Sequence, residues 1–493
     1  MKNWLTESEE LIRLGLFEDV EKRLLSLKKI ARREAADLAN IARRINRNDL
    51  AIKFLNPIVR SQDKLSPPAT PIEKLEYADA LRQLGATEES WNLLSDISSE
   101  KLPQVLLHQA FCLFTQWRYE EAIPLLQNYV LNPSLDDYPR CLGQINLAAA
   151  YIAENQLVLA TPLVESLLAE TKRLNFMLLY GNSLELRAQI FVSEKKYNQA
   201  LILLDESRAL LESSGKATLY VEKWQSIANS LKKNEITPSL LNVIEKARLM
   251  RHWETVRECE LYIAFFEKNI DRFQFIYFGT PYKSFRERIV KMATESFKIP
   301  TSYLWVSNSK KPAVIFDIQA GQLIGTESED SQLPVGQVLH RFFILMAQDF
   351  FRPRMTLSLF CHLFPDEVVS ASTSINRVHQ IVKRARAWLK KTNAPLEIEE
   401  LNGNYRLLIK KDLGVRIVAN PPELSDKQIQ WKLFVSNLTD TAFTINEMMR
   451  ILQASASTAR RLLKWGQEKK LIERSGQGPK TIYTILKSKA NRS

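Results

Sequence analysis

From residue 1 to about 292, apolar positions recur at the three- and four-residue intervals of amphipathic helices, one helix after another. Leu, Ala, Glu, Lys and Arg dominate, glycine is scarce, and strand-like alternation is nearly absent. A loose phrase returns along this stretch: often an aromatic, two mostly polar residues, a small residue, then an apolar pair. It reads Phe17-Glu-Asp-Val20, Asn48-Asp-Leu-Ala51, Thr87-Glu-Glu-Ser90, Tyr119-Glu-Glu-Ala122, Gln156-Leu-Val-Leu-Ala160, Tyr197-Asn-Gln-Ala200 and Trp253-Glu-Thr-Val256. The small positions lie 31, 39, 32, 38, 40 and 56 residues apart. A small residue lets two helices approach closely and the aromatic fills the gap beside it, so the pattern predicts stacked helix pairs. The stretch from Ser61 to Pro71, with Pro67 and Pro68, predicts a loop between pairs.

Between 271 and 311 the pattern breaks. Phe273, Phe275, Tyr277, Phe278, Tyr282 and Phe285 crowd together. They form either an exposed partner site or, the preferred reading, the seal on the end of a helical stack. Residues 307–312 read as a turn or linker. From 312 the periodicity switches. Residues 314–318 and 322–324 predict a short hairpin. Residues 339–351 predict a helix, and 356–364 a second, with Thr356 as N-cap and Pro365 past its end. A third helix, capped by Ser372 or Thr373, runs to about Lys391. Residues 396–401, a turn at Asn402-Gly403-Asn404 and residues 405–409 follow as strand, turn and strand. In the third helix Ile375, Val378, Val382, Ala385 and Leu389 make one apolar face. Away from it lie Asn376, Arg377, Gln380, Lys383, Arg384 and Arg386, donors suited to phosphates and base edges, though a plain solvated face has the same composition. Past Pro421-Pro422, a helix is predicted at 426–437. Thr444-Ile-Asn-Glu447 has the form of a capping box, Ser455 or Ser457 caps a helix at 456–469, and two short strands flank Gly476-Gln-Gly-Pro-Lys480.

Composition narrows the class. The chain has 493 residues, 45% hydrophobic and 25% charged, a mix that excludes a mostly disordered or fibrous protein. No run of about 18 apolar residues predicts a membrane span. The start, MKNWLTESEE, has no apolar core of a secretory signal. The four cysteines, Cys112, Cys141, Cys259 and Cys361, show no C-x-x-C spacing, so inert core thiols and a reducing, cytoplasmic setting are expected. The net charge of +12 is unevenly spread. Residues 1–300 hold 40 Lys/Arg against 39 Asp/Glu, whereas 301–493 hold 28 against 17, and the last fifty 11 against 3. A neutral body with a basic end points to a polyanion partner at that end.

The repeated phrase resembles the tetratricopeptide repeat over roughly residues 8–270, most clearly at Tyr119-Glu-Glu-Ala122-Ile-Pro-Leu-Leu126 and Tyr197-Asn-Gln-Ala200-Leu-Ile-Leu-Leu204. Residues 312–415 resemble the OmpR/PhoB-type winged-helix output domain of bacterial response regulators. The leading small sheet, Arg384-Ala-Arg386-Ala-Trp-Leu389 and Gly403-Asn404-Tyr405-Arg406-Leu407 carry that likeness. It implies a third helix in the major groove, with Arg377, Gln380, Lys383 and Arg384 facing DNA. Asn404 stands where the family usually has a second glycine, and Leu401 and Asn402 where it has a wing arginine, so minor-groove contact is not expected. Residues 424–488 resemble the broad bacterial winged-helix class through Ser455, Thr458, Arg460, Leu463, Leu471-Ile472, Gly476, Gly478 and Tyr483. That likeness implies Ser457, Thr458, Arg461 and Lys464 as outward positions, with Arg460 beside them and Lys480 near phosphate at the wing.

No catalytic constellation is visible. His108, His252, His340, His362 and His379 have no metal spacing, no phosphate-binding loop or nucleophile elbow occurs, and Ser214-Gly215-Lys216 lacks the upstream glycine. The expectation is a mainly α protein and not an enzyme, without cofactor or metal. It has a helical-repeat superhelix at 1–270, an aromatic-rich segment at 271–311, two small α+β winged helices at 312–415 and 424–488, and a basic tail at 489–493. The expected activity is sequence-specific DNA binding by a bacterial transcriptional regulator. Its repeats bind a peptide, a protein or a second copy. The alternative is a scaffold whose winged helices hold proteins.

Overall fold

The computed structural model describes residues 2–13, 16–27, 30–61, 63, 65–213, 218–293, 297–307, 312–326, 330–365, 367–370, 373–410, 412–419, 426–452, 454–478 and 481–486. The fold is mainly helical. Helices pair along the chain as α1 (Lys2–Arg13) with α2 (Phe17–Leu25), α3 (Arg32–Arg44) with α4 (Asn48–Val59), and α5 (Pro71–Gln83) with α6 (Thr87–Ser95). The series continues with α7 (Gln104–Phe114) and α8 (Tyr119–Val130), α9 (Asp137–Ala153) and α10 (Leu157–Arg173), and α11 (Met177–Ser193) and α12 (Tyr197–Ser213). Then come α13 (Leu219–Lys233), α14 (Pro238–Leu249), α15 (Trp253–Phe266), α16 (Ile270–Phe278) and α17 (Lys283–Met292). Further on lie β1 (Ser302–Val306), β2 (Val314–Asp317), β3 (Gln322–Ile324), α18 (Val338–Met346), β4 (Arg354–Met355), α19 (Thr356–Leu363) and α20 (Thr373–Lys391). The chain goes on through β5 (Leu396–Leu401), β6 (Asn404–Ile409), β7 (Leu413–Val418), α21 (Asp426–Ser436), β8 (Ala442–Phe443), α22 (Ile445–Leu452), α23 (Ala456–Glu468), β9 (Ile472–Ser475) and β10 (Ile482–Ile485). Two compact units result: Met1–Lys298 with Phe351–Asn376, and Ile299–Phe350 with Arg377–Ser493. The division falls inside α20.

In the first unit, Val20, Ala51, Ser90, Ala122, Ala160, Ala200 and Val256 are all buried. Six of them stand at the fourth position of α2, α4, α6, α8, α10 and α12, the second helices of successive pairs. Val256 stands in α15, beyond α13 and α14, which accounts for the interval of 56. The turns share one geometry. Asn46, Gly85, Trp117, Asn155, Lys195 and Arg251 take positive φ. The next residue donates its N–H back to a carbonyl five residues earlier, as in Arg47 to Ala42 at 2.8 Å, Gln156 to Tyr151 at 2.8 Å and His252 to Ala247 at 2.8 Å. This is the Schellman closure, which satisfies carbonyls that a helix end leaves without partners. The donor residue is at once the N-cap of the next helix, so one turn ends a helix and starts its mate.

Residues 351–376 belong to this first unit. The Phe351 ring lies 5.5 Å from that of Phe275 and 5.1 Å from the guanidinium of Arg257. Farther along, the Val369 N–H donates to Glu89 on α6 at 2.7 Å, and Arg60 pairs with the same carboxylate. The segment therefore straps α15 and α16 to α6. Gly85 makes room for it: a Cβ there would stand 2.8 Å from Met355 Cε and 2.9 Å from Ser358 Cβ.

The second unit opens with a four-stranded sheet in the order β1-β7-β2-β3. β7 pairs antiparallel with β1 and parallel with β2, placing Val415 opposite Trp305 and Phe316. Residues 302–306, assigned to the linker segment from sequence, are thus a sheet strand, and β7 carries the sheet to Val418. Phe316, Phe343 and Trp388 pack ring to ring beneath it. α18 ends at Met346 rather than 351, because Phe350 is drawn off the helix axis to stack on Trp305 at 3.9 Å. Thr356 is the first residue of α19, with Met355 at the N-cap, not Thr356. The second half of the unit has the order helix, strand, helix, helix, hairpin. Its sheet runs β8-β10-β9, over a core of Trp431, Phe434, Phe443, Met448, Leu462, Leu463 and Ile472. Pro421-Pro422, the 489–493 tail and Ser214-Gly215-Lys216 lie outside the described residues.

Candidate functional site

α20 is amphipathic, with Val378, Ile381, Val382, Ala385 and Leu389 buried. Ile375, placed on the apolar face from sequence, is instead exposed, and Ile381 takes its share of the core. Residues 378, 381, 382, 385 and 389 form one continuous stripe, whereas Ile375 sits in the first turn of the helix, ahead of it. Asn376, Gln380, Lys383 and Arg384 are exposed and Arg377 is half-buried. Arg386 is exposed, but its guanidinium donates to the Ile398 carbonyl on β5 at 2.9 Å. It ties the helix to the β5–β6 hairpin. At the far end Lys391 pairs with Asp330 at 2.6 Å, and the Trp388 indole donates to the Asp330 carbonyl at 3.0 Å.

α23 is set out in the same way. Ala459, Leu462 and Leu463 face the core, and Gly466 lets the helix close onto Ile472 and Trp431. Ser455 caps the helix by accepting the Thr458 N–H at 3.2 Å, and Thr444 accepts the Glu447 N–H at 3.3 Å ahead of α22. Ser457, Arg460, Arg461 and Lys464 are exposed and Thr458 is half-buried. Ser457, Arg461 and Lys464 follow i, i+4, i+7 and share a face, where Lys464 stands 4.0 Å from Glu468. Lys383, Arg384, Arg460 and Arg461 have no ion-pair partner among the described residues. Lys480 lies outside the described residues.

The two halves of this unit touch through groups that no sequence signal marked. Gln430 on α21 donates to the Gly336 carbonyl at 2.7 Å, and Gln337 donates to the Leu452 carbonyl, at the end of α22, at 3.1 Å. Gly336 has φ +77, and a Cβ on it would lie 2.9 Å from Gln430 Cγ. Buried His340 fixes that turn by accepting the Gly336 N–H on Nδ1 at 3.0 Å.

In the first unit one buried polar cluster lies around α15. Trp117 Nε1 donates to Glu254 at 3.0 Å, and the fully buried Arg257 pairs with the same carboxylate. Glu258 receives Lys223 at 2.8 Å and Arg288 at 3.0 Å. Burial pushes Glu258 up, but the two cations outweigh it and hold the carboxyl below its ordinary range; burial likewise lowers Lys223, and Glu258 overrides it. Beside this cluster lies a cavity of about 410 Å³ lined by Arg82, Phe111, Phe114, Thr115, Trp117, Glu254 and Arg352. The aromatic segment after residue 270 is largely interior: Phe273, Phe278 and Phe285 are buried. Burial pushes the Cys112 and Cys141 thiols up to about 11 and those of Cys259 and Cys361 to about 12, so all four are poor nucleophiles at neutral pH. Among the described residues no helix is long and apolar enough to cross a membrane.

No protein-family model and no curated protein matches the chain. Solved structures are similar to it, two of them as follows. One is a crystal structure of nearly identical TPR-like repeats from a Podosopora anserina putative kinesin light chain, at 22% identity and TM-score 0.30 over 38% of this chain and 96% of that one. The other is the human IFIT1 dimer with m7Gppp-AAAA, at 14% identity and TM-score 0.33 over 79% of this chain and 86% of that one. The likeness is too low to carry an argument; the TPR-like repeat rests on the helix pairs and their turns.

Proposed function

We propose that the chain is a sequence-specific DNA-binding transcriptional regulator of the bacterial cytoplasm, whose TPR-like repeats bind a peptide, a protein or a second copy of itself. The observation that carries this reading is the pair of outward basic faces, Gln380, Lys383 and Arg384 on α20 and Ser457, Arg461 and Lys464 on α23, each on a helix followed by a hairpin. The exposed guanidinium and ammonium groups of Lys383, Arg384 and Arg461 are suited to phosphates for affinity and to base edges for choice. In this reading the protein has no turnover of its own, which an assay with nucleotides checks. The main test is genome-wide DNA capture with the purified chain at near-physiological salt, beside Arg384→Glu and Arg461→Glu. Enriched sites lost in either variant support the reading and tell which helix reads sequence. Weak binding without enrichment, erased by salt, refutes it.

A second reading has one observation behind it. α19, which would complete the first helix–turn–helix, clusters with the repeat unit. A scaffold whose winged helices hold proteins would use α20 in that way. It predicts that neither charge reversal alters DNA retention.

A further inference from the structure

The cleft between the fourth helix pair and α15 is filled by the chain's own α17. Phe285 and Ile289, four residues apart on that helix, are fully buried. The Phe285 ring meets Trp117, in the turn after α7, edge-on at 4.6 Å. Arg288 lies 5.0 Å from the Trp117 ring and reaches Glu258 on α15 at 3.0 Å. Just ahead of the helix, the Tyr282 hydroxyl is 3.5 Å from Glu254. Glu154, at the end of α9, is near enough to Arg288 and Lys291 for their charge to act on it. The occupant is basic, with Lys283, Arg286, Arg288 and Lys291 against a single acid, Glu287. The walls supply Glu154, Glu254 and Glu258.

We infer that this cleft is a docking site for a short basic amphipathic helix of a partner protein, with α17 as its built-in competitor. The inference rests on the partner-binding half of the proposed function and deepens it. The occupant it takes carries an aromatic and a branched aliphatic residue four apart, with an arginine between them, as in Phe285, Arg288 and Ile289. Two features make exchange feasible. Ten residues are too few for a helix to persist alone in water, so α17 owes its order to the cleft. The contact also leans on ion pairs, whose desolvation offsets much of their attraction, rather than on apolar area alone.

The test uses a fluorescent synthetic peptide of residues 281–292 and the full-length chain. Anisotropy titrations compare wild type with Phe285→Ala and with the milder Arg288→Gln, each checked for a cooperative thermal unfolding transition by circular dichroism. Wild type is expected to bind the peptide at least tenfold more weakly than a folded variant, and a peptide with its phenylalanine replaced by alanine is expected not to bind. A folded variant that gains nothing overturns the inference. So does a wild-type mass of two chains by light scattering that Phe285→Ala abolishes, because a second copy would then fill the cleft. DNA capture is read separately, so a failure there with peptide binding intact refutes only the DNA-binding reading.

Discussion

Trp117 and Glu254, 137 positions apart, meet in a single hydrogen bond of 3.0 Å. The repeat stack therefore curls until the turn after α7 reaches the start of α15. Trp117 is 7% exposed and also packs against Tyr119 and Phe285. Trp117→Ala is expected to destabilise the first unit by about 3–5 kcal/mol, the range for a large buried aromatic. A lowered urea midpoint in far-UV circular dichroism checks this; an unchanged midpoint would mean that the curl is held elsewhere.

Asp79 gives the first unit an acid limit. It is 1% exposed and receives Arg43 at 2.7 Å, Arg82 at 2.7 Å and His108 at 3.1 Å. Burial pushes its carboxyl up, but the adjacent His108 imidazole and the charges of Arg82 and Arg43 outweigh it and hold it far below the ordinary range. A depressed acid adds stability that is complete above the unfolded value, about 3.9, and is lost as pH falls through the folded one. The wild-type urea midpoint should drop steeply below about pH 4. Asp79→Asn should start lower at pH 7 and fall less, because the titrating carboxylate is gone and Arg82 has lost its partner, while Arg43 keeps Glu76 at 3.1 Å.

Gly85→Ala should loosen the strap. The position combines φ +87 with a Cβ path blocked by Met355 and Ser358. Strain of this kind costs about 1–3 kcal/mol. Hydrogen exchange should quicken at the Val369 amide, which otherwise donates to Glu89, while amides within α11 and α12 keep their wild-type rates.

Gly336→Ala should separate the two halves of the second unit by displacing Gln430. If both outward faces engage one DNA site, the nuclease footprint should shorten toward a single winged helix while each half keeps its own fold. A footprint of unchanged length would show that the Gln337 and Gln430 contacts do not set their spacing.

The parts of this architecture legible in sequence are those fixed by local periodicity. The seven small positions, the β5–β6 hairpin with its turn at Asn402 and Gly403, and the Ser455 cap all follow from short-range pattern. The inter-helix turns were hidden because Asn, Lys, Arg and Trp hold the left-handed position in five of the six, where a glycine would have been a signal. β1 and β7 were missed because a strand paired across more than a hundred residues leaves no local mark. The outward residues of α20 and α23 could be named from helical spacing, but not that Arg386 is engaged with Ile398, since that depends on where the hairpin comes to lie. Nothing in the order of residues says that Phe285 would reach Trp117.

α20 begins in one unit and ends in the other without interruption. Nineteen residues at 1.5 Å each make a rod of about 28 Å. Such a rod is a lever. Along a rod of that length, a tilt of about 10° at one end carries the other by about 5 Å.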